Sequence, residues 1–126
     1  MELGKPNGDD EGMKYYMTKD MYHLIMKLVI LGKIKKDSSN IYAYELINHV
    51  AQHVPKYRKD KMEIKNDIYN TLSKFERLGY VHQEKKLSDG KIKNFYTLTK
   101  KGDRALMESK KILKDAMKNV AKQLEG

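Results

Sequence analysis

A chain of 126 residues, 40% hydrophobic and 34% charged, has the length and composition of one folded, well-solvated domain with extensions. It contains no apolar run of about 18 residues, opens on acids where a signal peptide would be basic and then apolar, and has no cysteine. A membrane partner, disulfides, thiol nucleophiles and Cys-ligated zinc are thereby excluded, a cytoplasmic location is expected, and the net charge of +9 suits a polyanionic partner.

The charge is unevenly placed. Glu2, Asp9, Asp10 and Glu11 outweigh Lys5 in the first twelve residues, so the remainder carries +12. Residues 1–13, with three glycines, a proline and no apolar period, are expected to form a flexible acidic tail. From Thr18, an N-cap residue followed by Met21, Leu24, Ile25 and Leu28 predicts a first helix, with Gly32 as its stop. Beyond a polar turn over 35–40, Tyr44, Leu46, Ile47 and Val50 predict a second, short helix ending near His53. Pro55 then opens a loop bearing Lys56, Arg58, Lys59 and Lys61, placed to add backbone contacts to a nucleic acid or simply to be solvated.

A third helix is predicted from about Met62, with Ile64, Ile68, Leu72 and Phe75 on one stripe and Gly79 just past its last turn. Asp89-Gly90 between the alternating segments 80–87 and 92–98 predicts a β-hairpin. Thr99 can cap a last helix running to about Leu124. Three helices, a hairpin and a long helix give a mainly α fold with a small β wing: a winged helix-turn-helix over 14–98, followed by a C-terminal dimerisation helix over 99–126.

In such a fold the third helix enters the major groove of double-stranded DNA, since a helix fits that groove and can present polar groups to base edges. Opposite the apolar stripe lie Lys65, Asn66, Tyr69, Asn70, Ser73 and Lys74. The amides, hydroxyl and phenol suit base edges, whereas Lys65 and Lys74 suit phosphates, joined by Lys86, Lys91 and Lys93 of the hairpin, where Lys85 also lies. Lysines on edge strands also serve simply to prevent aggregation. The last helix carries Leu106, Leu113, Met117, Val120 and Leu124 along one side, more than one small domain can cover, which predicts a homodimer through this helix, the alternative being a helix folded back on its own domain.

Other chemistry finds no support. His49 and His53 stand at i, i+4 without a cysteine or acid to complete a metal set, so no metal is expected. No Ser/His/Asp arrangement and no glycine-rich phosphate loop is present, so neither an enzyme nor a cofactor is expected. The rival to a sequence-specific DNA-binding regulator is a winged helix that docks an acidic protein and has no operator. Exposed apolar anchors on the third helix would favour that rival.

The segments IYAYELINHV, IYNTLSKFERLGYV and FYTLTKKGDRAL together resemble the PadR-like transcriptional regulators over about residues 17–106. The family's Gly-Tyr-Glu-Leu run is matched by Tyr44, Glu45 and Leu46, with Ala43 at the glycine position. Its Gly-Thr-Leu-Tyr-Pro-Ala-Leu run is matched at Tyr69 and Leu72, and the departures at Asn66, Asp67 and Asn70 fall on the expected reading face. The closing Tyr96, Leu98, Thr99 and Gly102 match a motif shared widely among winged-helix regulators. The resemblance implies a winged helix, homodimerisation through the C-terminal helix and, usually, repression of neighbouring genes. It further implies that small aromatic or drug-like molecules can act as effectors, although no residue here identifies one.

Overall fold

A computed structural model describes residues 9–54 and 61–125. Among these, the element order is α1 (Asp9–Lys36), β1 (Ile41–Tyr42), α2 (Ala43–His53), α3 (Lys61–Arg77), β2 (Val81–Ser88), β3 (Lys91–Leu98) and α4 (Lys100–Leu124). The expected mainly α fold with a hairpin wing is present, but the hairpin belongs to a three-stranded antiparallel sheet of order β1-β3-β2. Ile41 faces Tyr96 and Tyr42 faces Phe95. A two-residue strand is too short to leave a periodic signal in sequence.

The first helix differs most from expectation. It begins at Asp9, inside the stretch read as tail, and passes through Gly32 to Lys36; residues 1–8 lie outside the described residues. Its buried residues are Tyr22, Met26, Ile30, Leu31 and Ile34, whereas Met21 and Leu24, predicted to face the core, are exposed. Apolar residues surround this helix on nearly every side, so periodicity alone could not choose the buried face. Gly32 has no atom within 4 Å of where a Cβ would sit. Gly32→Ala is therefore expected to stabilise the protein by about 1 kcal/mol through helix propensity, raising Tm by roughly 3–5 °C in a thermal melt.

The remaining boundaries follow local chemistry. Glu45 reaches back to the Tyr42 backbone N–H (3.4 Å) at the start of α2, while its neighbour Leu46 is fully buried. At the end of α3, Gly79 takes φ +78°, its N–H donates to the Glu76 carbonyl (3.0 Å), and the Tyr80 N–H donates to that of Phe75 (2.8 Å). The Phe75 and Tyr80 rings meet at 5.9 Å, completing a Schellman motif. Asp89 (φ 53°) and Gly90 (φ 76°) form the tight hairpin turn that a right-twisted ribbon needs. The core is one cluster in which α1, α2, α3, the base of the sheet and Leu106 of α4 meet.

No helix among the described residues is long and apolar enough to cross a membrane. Beyond Leu106, α4 runs through Met117, Val120 and Leu124 at 64%, 53% and 79% exposure, and Leu113 is half-buried. Leu106 itself, expected at a dimer contact, is buried in the chain's own core, because the first two turns of α4 pack against α1.

Candidate nucleic-acid interface

Helix α3 buries Ile64, Ile68, Leu72 and Phe75 and turns Lys65, Asn66, Asn70, Ser73 and Lys74 outward. Tyr69 is 43% exposed beside them, with the Lys65 ammonium 5.9 Å from its ring centre. All six expected α3 residues therefore share one solvent-facing side. A polar outer side is the consequence of apolar residues at helical spacing on the inner one.

Asp67 does not belong to that side. It is partly buried and its carboxylate accepts a hydrogen bond from the Tyr22 hydroxyl (3.2 Å), tying α3 to α1. Its backbone carbonyl accepts from Thr71 (2.7 Å), which satisfies an otherwise buried hydroxyl. Of the three departures expected on the reading face, Asn66 and Asn70 lie on the exposed side, whereas Asp67 makes an internal contact.

The wing lysines divide in two. Lys86 donates to the Ser39 carbonyl (2.5 Å) and lies 4.8 Å from the Phe95 ring centre. Lys93 lies 4.3 Å from the Tyr42 ring centre and 3.8 Å from the Asp89 carboxylate. Tyr42 and Phe95 contact each other edge-on (5.5 Å), so this side of the sheet is a small aromatic and cationic cluster. Expected as phosphate contacts, Lys86 and Lys93 thus already serve the fold: directly opposite in register, they cover the rings of Phe95 on β3 and Tyr42 on β1. Lys85 and Lys91 are the exposed cations of the wing. Lys56, Arg58 and Lys59 of the cationic loop lie outside the described residues, and Lys61 opens α3.

Residues that sequence reasoning did not single out border the reading side. Tyr44 and Met62, each 57% exposed, join Ile47, Lys65 and Tyr69 around a cavity of about 320 Å³ between α2 and α3. Tyr44 stood inside a motif, but only the packing of α2 on α3 shows that it borders the helix expected to read DNA.

A larger cavity, about 610 Å³, lies where α1, α2 and α4 meet. Val29, Gly32 and Leu106 line it with Lys33, Lys35, Lys36, Lys110 and His49. Lys33 pairs with Asp37 and Lys35 with Asp103, each at 2.7 Å. Burial, with help from His53 and Lys33, pushes the His49 imidazole below its ordinary pKa. The His49 and His53 rings stack at 4.4 Å, and among the described residues no group of three or more His, Asp or Glu is placed to share a metal ion.

Comparison with known proteins agrees with this architecture. None of the curated proteins matches the chain. Among solved structures, a PadR family transcriptional regulator from Eggerthella lenta DSM 2243 is similar at 20% identity and TM-score 0.75, covering 92% of this chain and 96% of that one. A PadR-like transcriptional regulator from Bacillus cereus is similar at 23% identity and TM-score 0.69, covering 85% and 98%. A PadR family transcription regulator from Clostridium difficile R20291 is similar at 23% identity and TM-score 0.63, covering 80% and 98%. These likenesses establish a shared fold. The model of the transcriptional regulator PadR-like family matches residues 30–108, more than half of the chain and everything from the core of α1 to the first turns of α4. With the winged helix and the outward polar side of α3 in place, the chain belongs to the PadR-like family of transcriptional regulators, a family of regulators and not of enzymes.

Proposed function

We propose that this protein is a sequence-specific repressor that acts in the cytoplasm as a homodimer on a pseudo-palindromic operator. The observation that carries the reading is the exposed side of α3, where two amides, a hydroxyl, a phenol and two ammonium groups stand together on a rigid helix. Asn66, Tyr69, Asn70 and Ser73 are assigned to base edges, and Lys65, Lys74 and Lys91 to phosphates, with Lys85 as a further cation. Lys86 and Lys93 are assigned a supporting part, holding the wing in shape.

The dimer is assigned to α4 from Leu113 onward together with α1. Met13, Tyr16, Met17, Met21 and Leu24 are 48–69% exposed and fall within one stripe of α1. That stripe continues into Leu28 and Leu31, the part of α1 that is covered. Two uncovered apolar stripes on one small chain are economically covered by a second copy. Two copies of α3 would then occupy successive major grooves roughly 34 Å apart. A small-molecule effector is assigned to the cavity between α1, α2 and α4, whose volume suits a ligand and whose lysines select an anion.

The rival reading, a module that docks an acidic protein, is favoured by one observation: the exposed Tyr44, Met62 and Tyr69 around the α2–α3 cavity offer apolar anchors. A titration of the protein against its own upstream DNA and a scrambled duplex, at two salt concentrations, separates the two. Preference of roughly a thousandfold for the upstream DNA supports the operator; absence of binding at low salt supports the rival. In the same assay, K85A/K91A is expected to lower the slope of log affinity against log salt by about one unit per lost phosphate contact. Asn70→Ala is expected instead to shift preference between sequences by about 1–3 kcal/mol.

A further inference from the structure

The wing ends in an unusual way for a cationic hairpin. Leu87 and Ile92 stand directly opposite each other one pair before the turn and are 75% and 73% exposed. They share the side of the sheet on which Val81 and Tyr96 are buried, because opposed residues and every second pair point the same way. Ile92 is four positions from Tyr96, so the pair stands roughly 13 Å beyond the last buried residue of that side. The core cannot reach it.

A cross-strand aliphatic pair stabilises a hairpin, but so does a Thr–Thr or an oppositely charged pair, without leaving two aliphatic side chains in water. Exposed hairpin ends are ordinarily blunted by charge, and this chain has the lysines to do so. Instead the lysines surround the pair. Lys85 is exposed on the same side, two positions from Leu87; Lys91 is exposed beside the turn; Lys86 and Lys93 occupy the reverse side. An aliphatic point inside a cationic collar fits a polyanion with an apolar interior, which describes a DNA duplex approached between its phosphates.

We propose that Leu87 and Ile92 form a wedge that enters the minor groove beside the site of α3 and partly unstacks one base step, with Lys85 and Lys91 on the flanking phosphates. The proposal rests on the DNA-binding reading above. It adds a source of specificity that needs no hydrogen bond to a base: an easily unstacked pyrimidine–purine step at the wedge costs less to open than a stiff one. The operator is accordingly selected at two kinds of position, one read by α3 and one by its deformability.

The test uses duplexes from the upstream DNA carrying 2-aminopurine at successive steps across the region the protein protects, with fluorescence read at saturation. The wild-type complex is expected to brighten one step beside the α3 site several-fold. L87S/I92S is expected to bind roughly tenfold more weakly, since the loss of two buried aliphatic chains is partly offset by the unstacking no longer required. Its salt slope stays unchanged and no step brightens. L87M/I92M, which keeps an apolar point, retains the brightening, and K85A/K91A lowers the slope while retaining the brightening per bound complex. The wedge is overturned by a wild-type complex that forms without brightening any step, or by L87S/I92S brightening like wild type. Loss of self-association by L87S/I92S in the absence of DNA assigns the pair to a second copy and overturns it too. A wild-type protein that binds no duplex overturns both the wedge and the DNA-binding reading, whereas binding without unstacking overturns the wedge alone.

Discussion

Gly102→Ala is expected to destabilise the protein by about 3 kcal/mol or more and to lower Tm by roughly 10–15 °C in a thermal melt. A Cβ at this position would lie 2.0 Å from the Tyr80 carbonyl oxygen and 2.8 Å from Leu98 Cδ1. The first obstacle is backbone, and it is fixed from several sides. The Tyr80 carbonyl accepts from the Thr99 N–H (3.0 Å), and the Thr99 hydroxyl donates to the Gly79 carbonyl (2.6 Å) while accepting from the Gly102 N–H (3.0 Å). One threonine thus caps α4 and fastens it to the turn that ends α3. Thr99→Ala, which removes the cap and keeps the close approach, is expected to cost only about 1 kcal/mol. Equal losses from the two variants, or a Gly102→Ala protein as stable as wild type, would show that α4 need not pass so close to Tyr80. The functional consequence is positional: this junction holds α4 against the end of α3 and the base of the wing, so loosening it is expected to disturb the spacing of the two α3 helices in the proposed dimer.

The second large effect is expected from M117D/V120D. Both residues are more than half exposed within the protomer, and neither belongs to the core cluster, so the domain should fold with its helix content intact. With Leu113 and Leu124 they lie on one stripe of α4, and burying two carboxylates against a second copy of it is costly. Sedimentation at about 10 μM is expected to show monomers, and affinity for the upstream DNA is expected to fall by 10²–10⁴-fold, because two linked half-site contacts become two independent ones. Asn119→Asp, which adds one carboxylate away from that stripe, should leave both properties intact. A dimer that survives M117D/V120D removes α4 from the interface. A monomer that still binds DNA at full affinity removes the two-half-site operator instead.

Much of the geometry of the candidate site was legible in the sequence. The α3 stripe Ile64, Ile68, Leu72 and Phe75 fixes which side faces the core, and the opposite residues Lys65, Asn66, Tyr69, Asn70, Ser73 and Lys74 are then exposed. Gly79, Asp89-Gly90 and Thr99 mark the end of α3, the hairpin turn and the start of α4, because each relies on bonds or dihedral angles set within a few residues. The motif Tyr96, Leu98, Thr99 and Gly102 was visible as a pattern, although its purpose lies in contacts with Tyr80, some twenty positions earlier.

What the sequence by itself determined is therefore the order of the four helices and the hairpin, the end of α3, the hairpin turn and the start of α4, and the polar side of α3, all consequences of short-range periodicity and backbone chemistry. Tertiary structure alone decided which side of α1 is buried, since that helix is apolar nearly all round and only packing against α2, α3, the sheet and α4 selects among its sides. It also decided that Leu106 belongs to the core, that Asp67 bonds Tyr22, and that Lys86 and Lys93 cover Phe95 and Tyr42 while Leu87 and Ile92 are left in water. These assignments depend on partners 40 or more residues away, on the paired strand in the case of Lys86 and Phe95, or on where the core ends, and no local pattern encodes them.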